Sequence, residues 1–77
     1  MQNIFKKIIQ TKEKYNSSIV FDSRLIKKND IFIGLKSNNR DGNLFALDAI
    51  KKGAIFAIVD NNKLAHENII YTKSVQL

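Results

Sequence analysis

Two short polar segments hold the side chains best suited to chemistry. Asp22-Ser23-Arg24 follows the apolar run Ile19-Val20-Phe21. It offers a carboxylate acceptor, a hydroxyl and a guanidinium, a set that suits the edge of an imide-like base and a diphosphate. The end of a buried strand is also where open α/β sheets bind ligands. The same three residues would serve equally as a turn or helix cap carrying a surface Asp–Arg pair. The second segment, Asn38-Asn39-Arg40-Asp41-Gly42-Asn43, precedes a stretch with helical apolar spacing. The free N–H groups of a helix start favour anions there. Its plainer reading makes Asp41 or Asn43 the cap.

Other chemistries lack their residues. There is no cysteine, and the one histidine, His66, reads as a surface loop residue. A disulfide framework and a thiolate or multi-histidine zinc site are therefore excluded. None of the three glycines, at 34, 42 and 53, is followed by lysine, so there is no phosphate loop of the Gly-x-x-x-x-Gly-Lys kind. No paired nucleophile and base stands out.

The chain has 77 residues and a net charge of +6, from thirteen Lys and Arg against seven Asp and Glu. That balance invites a nucleic-acid reading. The cations are scattered rather than blocked, however, and eleven Lys, nine Asn and twelve Ile describe a general compositional bias. Only two arginines occur, Arg24 and Arg40, whereas base readout favours arginine. The N-terminal stretch lacks the continuous apolar core of a signal peptide, and the longest apolar run, Ala54 to Val59, is far too short to span a membrane. A soluble cytoplasmic protein is the expectation.

The elements that must position these segments follow from periodicity. Ile4, Phe5, Ile8 and Ile9 predict a helix over Asn3–Lys14 with these four residues buried against a sheet. Ile19–Phe21 and Ile31–Leu35 read as strands, separated by a tight turn at Lys27–Asp30 with Asn29 left-handed. Leu44, Phe45, Leu47, Ala49 and Ile50 make a second helix, ended by Lys51-Lys52-Gly53. Ala54–Val59 and Asn68–Thr72 complete the set. The expected fold is a small α/β domain in the order α-β-β-α-β-β, with a mixed sheet and flanking helices. The chain reads as one domain. Strands apolar on both faces, with only two helices to cover them, and an end at Ser74–Leu77 without a stop signal suggest the first piece of a longer protein.

Taken together, the ordered motifs resemble the Mur ligase N-terminal domain. They are Phe21-Asp22-Ser23-Arg24, Ile26-Lys27-Lys28-Asn29-Asp30-Ile31-Phe32-Ile33-Gly34-Leu35-Lys36, Asp41-Gly42-Asn43-Leu44-Phe45 and Ala49-Ile50-Lys51-Lys52-Gly53-Ala54. The resemblance runs from about Val20 to Asp60. Within the family, Leu35-Lys36 and Gly42-Asn43-Leu44-Phe45-Ala46 are most similar to the MurF branch, which adds D-alanyl-D-alanine to UDP-N-acetylmuramoyl-tripeptide. The MurE branch, which adds the third residue, is the runner-up. Three positions depart from the pattern: Asn29 and Ser37 stand where glycine is usual, and Asn43 where histidine is frequent.

The resemblance implies a domain that holds the UDP end of a UDP-N-acetylmuramoyl-peptide and is not catalytic alone. It implies substrate contacts at Phe21, Ser23 and Arg24 and at Asn38, Asn39 and Arg40, with Asp22, Asp41 and Gly42 shaping the loops. ATP and magnesium would belong to a central domain outside this stretch, which would be its partner in the whole ligase. No cofactor, nucleic acid or membrane insertion is implied for this stretch itself. Two other readings stay open from the residues: a small basic RNA-binding module, and a structural remnant without a ligand.

Overall fold

A computed structural model describes residues 4–61, 63–64 and 66–73. Helix α1 spans Ile4–Tyr15 and stops where Asn16 turns left-handed, with φ of 54°. Asparagine tolerates that conformation better than most side chains. Strands β1 (Ile19–Val20), β2 (Ile31–Gly34), β3 (Phe56–Val59) and β4 (Ile69–Tyr71) form one sheet in the order β1-β2-β3-β4. A 3-10 turn at Ser23–Leu25 lies between β1 and β2. A second, Gly42–Phe45, leads directly into helix α2, Ala46–Lys51.

The α/β class and the order of elements are as expected, but the sheet is not mixed. All three strand pairs are parallel, with Ile19 beside Ile31, Ile31 beside Phe56 and Ala57 beside Ile69. The described residues of segments 21–30 and 60–68 form no long helix, yet each segment is long enough to carry the chain back to the starting edge of the sheet. The loops that leave β1, β2 and β3 all emerge at the same edge.

Strands β2 and β3 are buried along their whole length, as continuous apolar runs predict. Side chains alternate between two cores. Ile31, Ile33, Phe56 and Ile58 meet Ile8 of α1, while Phe32, Ala57 and Val59 meet Ala46 and Ala49 of α2. Only half of the expected α1 stripe is buried. Ile8 is covered and Ile4 packs at the margin, but Phe5 and Ile9 are 46% and 56% exposed. A helix turns 100° per residue, so a row at i and i+4 touches a flat sheet while its i+1 neighbours ride at the edge.

Tight turns hold the connections. Asn29 is left-handed, with φ of 70°, and the buried Asp30 carboxylate accepts hydrogen bonds from Ser18 N (3.1 Å) and Lys27 N (2.9 Å). Helix α2 ends in a Schellman pair, Gly53 N to Ile50 O (3.1 Å) and Ala54 N to Ala49 O (3.0 Å). Gly53 has φ of 116°, open to glycine and strained for other residues.

Candidate functional site

The first loop is fixed locally. Asp22 caps the 3-10 turn, accepting from Arg24 N at 3.0 Å, and the same carboxylate grips the Arg24 side chain. Nε lies 3.0 and 3.2 Å from the two carboxylate oxygens, and Nη2 lies 2.7 Å from Oδ2. The Arg24 guanidinium and its backbone N–H hold Asp22 far below the usual carboxylate range, and Asp22 in turn raises Arg24. The arginine side chain is 80% exposed, so its remaining donors face solvent. Ser23 is buried, and its hydroxyl turns toward α2. There Lys52, and to a lesser extent Ser23, lower the Asp48 carboxylate.

The second loop is fixed both locally, with Asp41 capping the Gly42–Phe45 turn by accepting from Asn43 N at 3.1 Å, and from a distance. Lys36 pairs with Asp41 across an antiparallel bridge, and Ser37 closes the turn through both its N–H (2.7 Å) and its Oγ (3.0 Å) on Arg40 O. The serine at this usual glycine position thus takes part in the turn. Gly42 packs directly on Gly34. A Cβ on Gly42 would stand 2.8 Å from both Gly34 Cα and Leu35 N. Its glycine requirement is therefore one of space.

The carboxamide of Asn43 completes the attachment. Asn43 is 3% exposed. Its Nδ2 donates to Asp41 Oδ1 and Asp60 Oδ1, each at 2.7 Å, while its Oδ1 accepts from the backbone N–H of Asp60 (3.0 Å) and Asn61 (3.1 Å). Two carboxylates on one side and two N–H groups on the other allow only this orientation of the amide. Asp60 also accepts from Lys36 N at 3.3 and 3.4 Å. The whole loop is stitched to the end of β3.

These two loops meet in a pair of adjoining clefts that share Arg40. One, of about 260 Å³, is lined by Asp22, Ser23, Arg24, Arg40 and Phe45. The other, of about 150 Å³, is lined by Phe21, Ile33, Leu35, Arg40 and Gly42. The Arg40 guanidinium lies 5.1 Å from the Phe45 ring centroid, a cation–π stack. Phe21, Ser23, Arg24 and Arg40 are thus brought together, with Asp22 and Gly42. Asn38 and Asn39 stand exposed at the tip of the Ser37–Arg40 turn and line neither cleft. Asp41 turns away into a separate polar recess with Lys36, Asn43, Asp60, Asn61 and Tyr71. Phe45 was legible only as a helix-face apolar residue, and no local signal marks it as the platform for Arg40. His66 is exposed, with Nδ1 accepting from Asn68 N at 3.0 Å. Among the described residues, no group of three or more His, Cys, Asp and Glu could hold a metal ion, and no helix is long and apolar enough to cross a membrane.

A four-stranded parallel sheet with polar loops converging at one edge defines a small α/β domain, and one structural neighbour is a Mur ligase domain. That neighbour is the MurF ligase of Thermotoga maritima in complex with ADP, matched at a TM-score of 0.68 over 75% of this chain and 14% of that one. Identity there is 24%, which speaks to the fold alone. No protein-family profile matches the chain. In sequence it is 38% identical over 77 residues to the UDP-N-acetylmuramoyl-L-alanyl-D-glutamate–2,6-diaminopimelate ligase of Rickettsia montanensis. It is 31% identical over 75 residues to the same ligase of Buchnera aphidicola. The chain is a homologue of Mur ligases and matches an N-terminal region of that family. It covers 99% of itself but only 16% of the Rickettsia relative's length. The relatives are of the MurE type, so the expected MurF branch is not singled out.

Proposed function

We propose that this chain binds the nucleotide end of a UDP-N-acetylmuramoyl-peptide on behalf of an ATP-dependent Mur ligase. The carrying observation is the convergence of the only two arginines, from different loops, on one cleft at the carboxyl edge of the sheet. Two guanidiniums against one carboxylate leave the cleft with a net positive charge, suited to a diphosphate. Arg24 presents the donors that Asp22 leaves unused, and Arg40 is steadied by the Phe45 ring. The adjoining apolar cleft beside Phe21, Ile33 and Leu35 supplies a surface for the base.

The amide-forming step, with ATP and magnesium, would lie outside this stretch. The diaminopimelate ligases among the relatives favour UDP-N-acetylmuramoyl-L-alanyl-D-glutamate as the substrate. The Leu35-Lys36 wording favours the tripeptide of the MurF branch. Both carry the same nucleotide end, so the proposal for the cleft is common to them.

Titrating the chain with UDP while following backbone amide resonances tests this reading. Shifts are expected to cluster at Phe21–Arg24 and Arg40–Gly42. Shifts absent at millimolar UDP would overturn it. Binding of an oligonucleotide along the lysines of α1, weakening by roughly 0.7–0.9 log units per contacted phosphate for each tenfold rise in salt, would favour the RNA-binding module instead.

A further inference from the structure

The Asn43 carboxamide does more than satisfy its neighbours. Among the described residues it is the one side chain that joins the second loop to the end of β3 through both a donor and an acceptor, across seventeen and eighteen residues of sequence. Arg40 sits two residues before Gly42, in the loop that this amide holds, and among the described residues has no carboxylate grip of the kind that fixes Arg24. Its position at the cleft therefore depends on where the loop backbone lies. We propose that Asn43 is a positioning residue for ligand binding: its carboxamide locks residues 35–43 to β3 and so sets Arg40 over Phe45 at the cleft. This rests on the reading that the cleft takes a nucleoside diphosphate.

The chemistry gives the lock a distinctive signature. Replacing the amide by an isosteric carboxyl, Asn43→Asp, keeps the acceptor for the Asp60 and Asn61 N–H groups. One of the two donated hydrogen bonds survives, and only while the new carboxyl is protonated. The groups facing it are the Asp41 and Asp60 carboxylates, with Lys36 and Tyr71 lining the same recess. Two like charges and burial raise the pKa of the introduced group. The variant is therefore locked at low pH and unlocked at high pH, whereas the native amide does not titrate.

The test compares wild type and N43D with UDP-N-acetylglucosamine, whose diphosphate diester keeps its charge over the range used. Binding is followed by amide shifts at about pH 5.5 and about pH 8, below and above the raised carboxyl pKa. We expect N43D to bind about tenfold more weakly than wild type at the higher pH and within about threefold of it at the lower, as for loss and partial return of a charged buried hydrogen bond. Equal affinity of the two proteins at both pH values would overturn the proposal. So would an equal loss at both, which marks a merely structural role. If N43D fails to give a dispersed spectrum, D41N/N43D/D60N exchanges donor for acceptor at both carboxylates that the amide faces. That variant is expected to bind at the higher pH, and its failure to do so also overturns the lock. Wild type showing no shifts would overturn the reading of the cleft. The lock is then judged without ligand, from the ring-current shift of the Arg40 side chain over Phe45. That shift is expected in wild type and in N43D at the lower pH and lost in N43D at the higher. Its persistence there would overturn the proposal by itself.

Discussion

Both loops deliver an arginine to the same cleft at an Asp-capped 3-10 turn, and they differ in what else holds them. Asp22-Ser23-Arg24 is a self-contained device, in which cap, ion pair and turn lie within three residues and the gripping pair is exposed. The loop from Leu35 to Asn43 has a local cap of its own, Asp41 accepting from Asn43 N at 3.1 Å, but among the described residues no carboxylate grips its arginine as Asp22 grips Arg24. It is seated by a glycine-on-glycine contact and tied to β3 by a buried carboxamide. A local, solvated pair is cheap to form and contributes little when lost. A part-buried, non-local network costs more to break, because losing one member leaves several others without their partner.

The largest effect should come from unseating the second loop. Gly42→Ala puts a Cβ against the backbone of Gly34 and Leu35, neither of which can rotate away. We expect a loss of about 3 kcal/mol or more, the upper end for overpacking, read as a fall in the denaturant midpoint. A loss below about 1 kcal/mol, the lower end of that range, would mean that the two glycines are not in contact. The Asn43→Asp comparison comes next, since it loosens the same loop without crowding it.

The smallest effect on stability should come from the first loop. Asp22→Asn removes the charge that grips Arg24 but leaves an amide oxygen able to cap the turn. The unfolding midpoint should hardly move, while UDP binding weakens by about two- to threefold, as for a cation no longer pre-ordered. A large stability loss would erase the contrast between the loops. The pH dependence has a definite sign. The folded-state pKa of Asp22 is depressed, so its contribution is complete above the unfolded carboxyl range near pH 4 and is lost only as pH falls through the lower folded value. The Asp22 carboxyl resonance should accordingly stay in its ionised position down through about pH 4, where an ordinary aspartate is half titrated.

Local features were legible in the sequence, and long-range ones were not. Asn29 and Gly53 could be placed because left-handed turns select those residue types. The Asp22 cap could be weighed because cap and partner are two residues apart. The α/β class followed from two apolar strands around a helical period. The direction of β1 and β4 did not, since their pairing depends on connections with no regular structure. Nor did the exposure of Phe5 and Ile9, which turns on how a helix lies on a sheet rather than on its own spacing. Asn38 and Asn39 fall at a turn tip because Ser37 and Arg40 close beneath them, a contact that residue types alone do not announce. Asn43 looked like a departure from the histidine usual at its position. The structure instead makes it the residue on which the loop hangs.

The central claim is that Arg24 and Arg40 act on one diphosphate. It is tested most directly by measuring UDP and uridine affinities for wild type and for the R24Q/R40Q double variant. Wild type should prefer UDP, and the double variant should lose that preference by about tenfold or more while its affinity for uridine holds, as for removal of two charge-assisted contacts. An unchanged preference for UDP in a folded double variant would contradict the account.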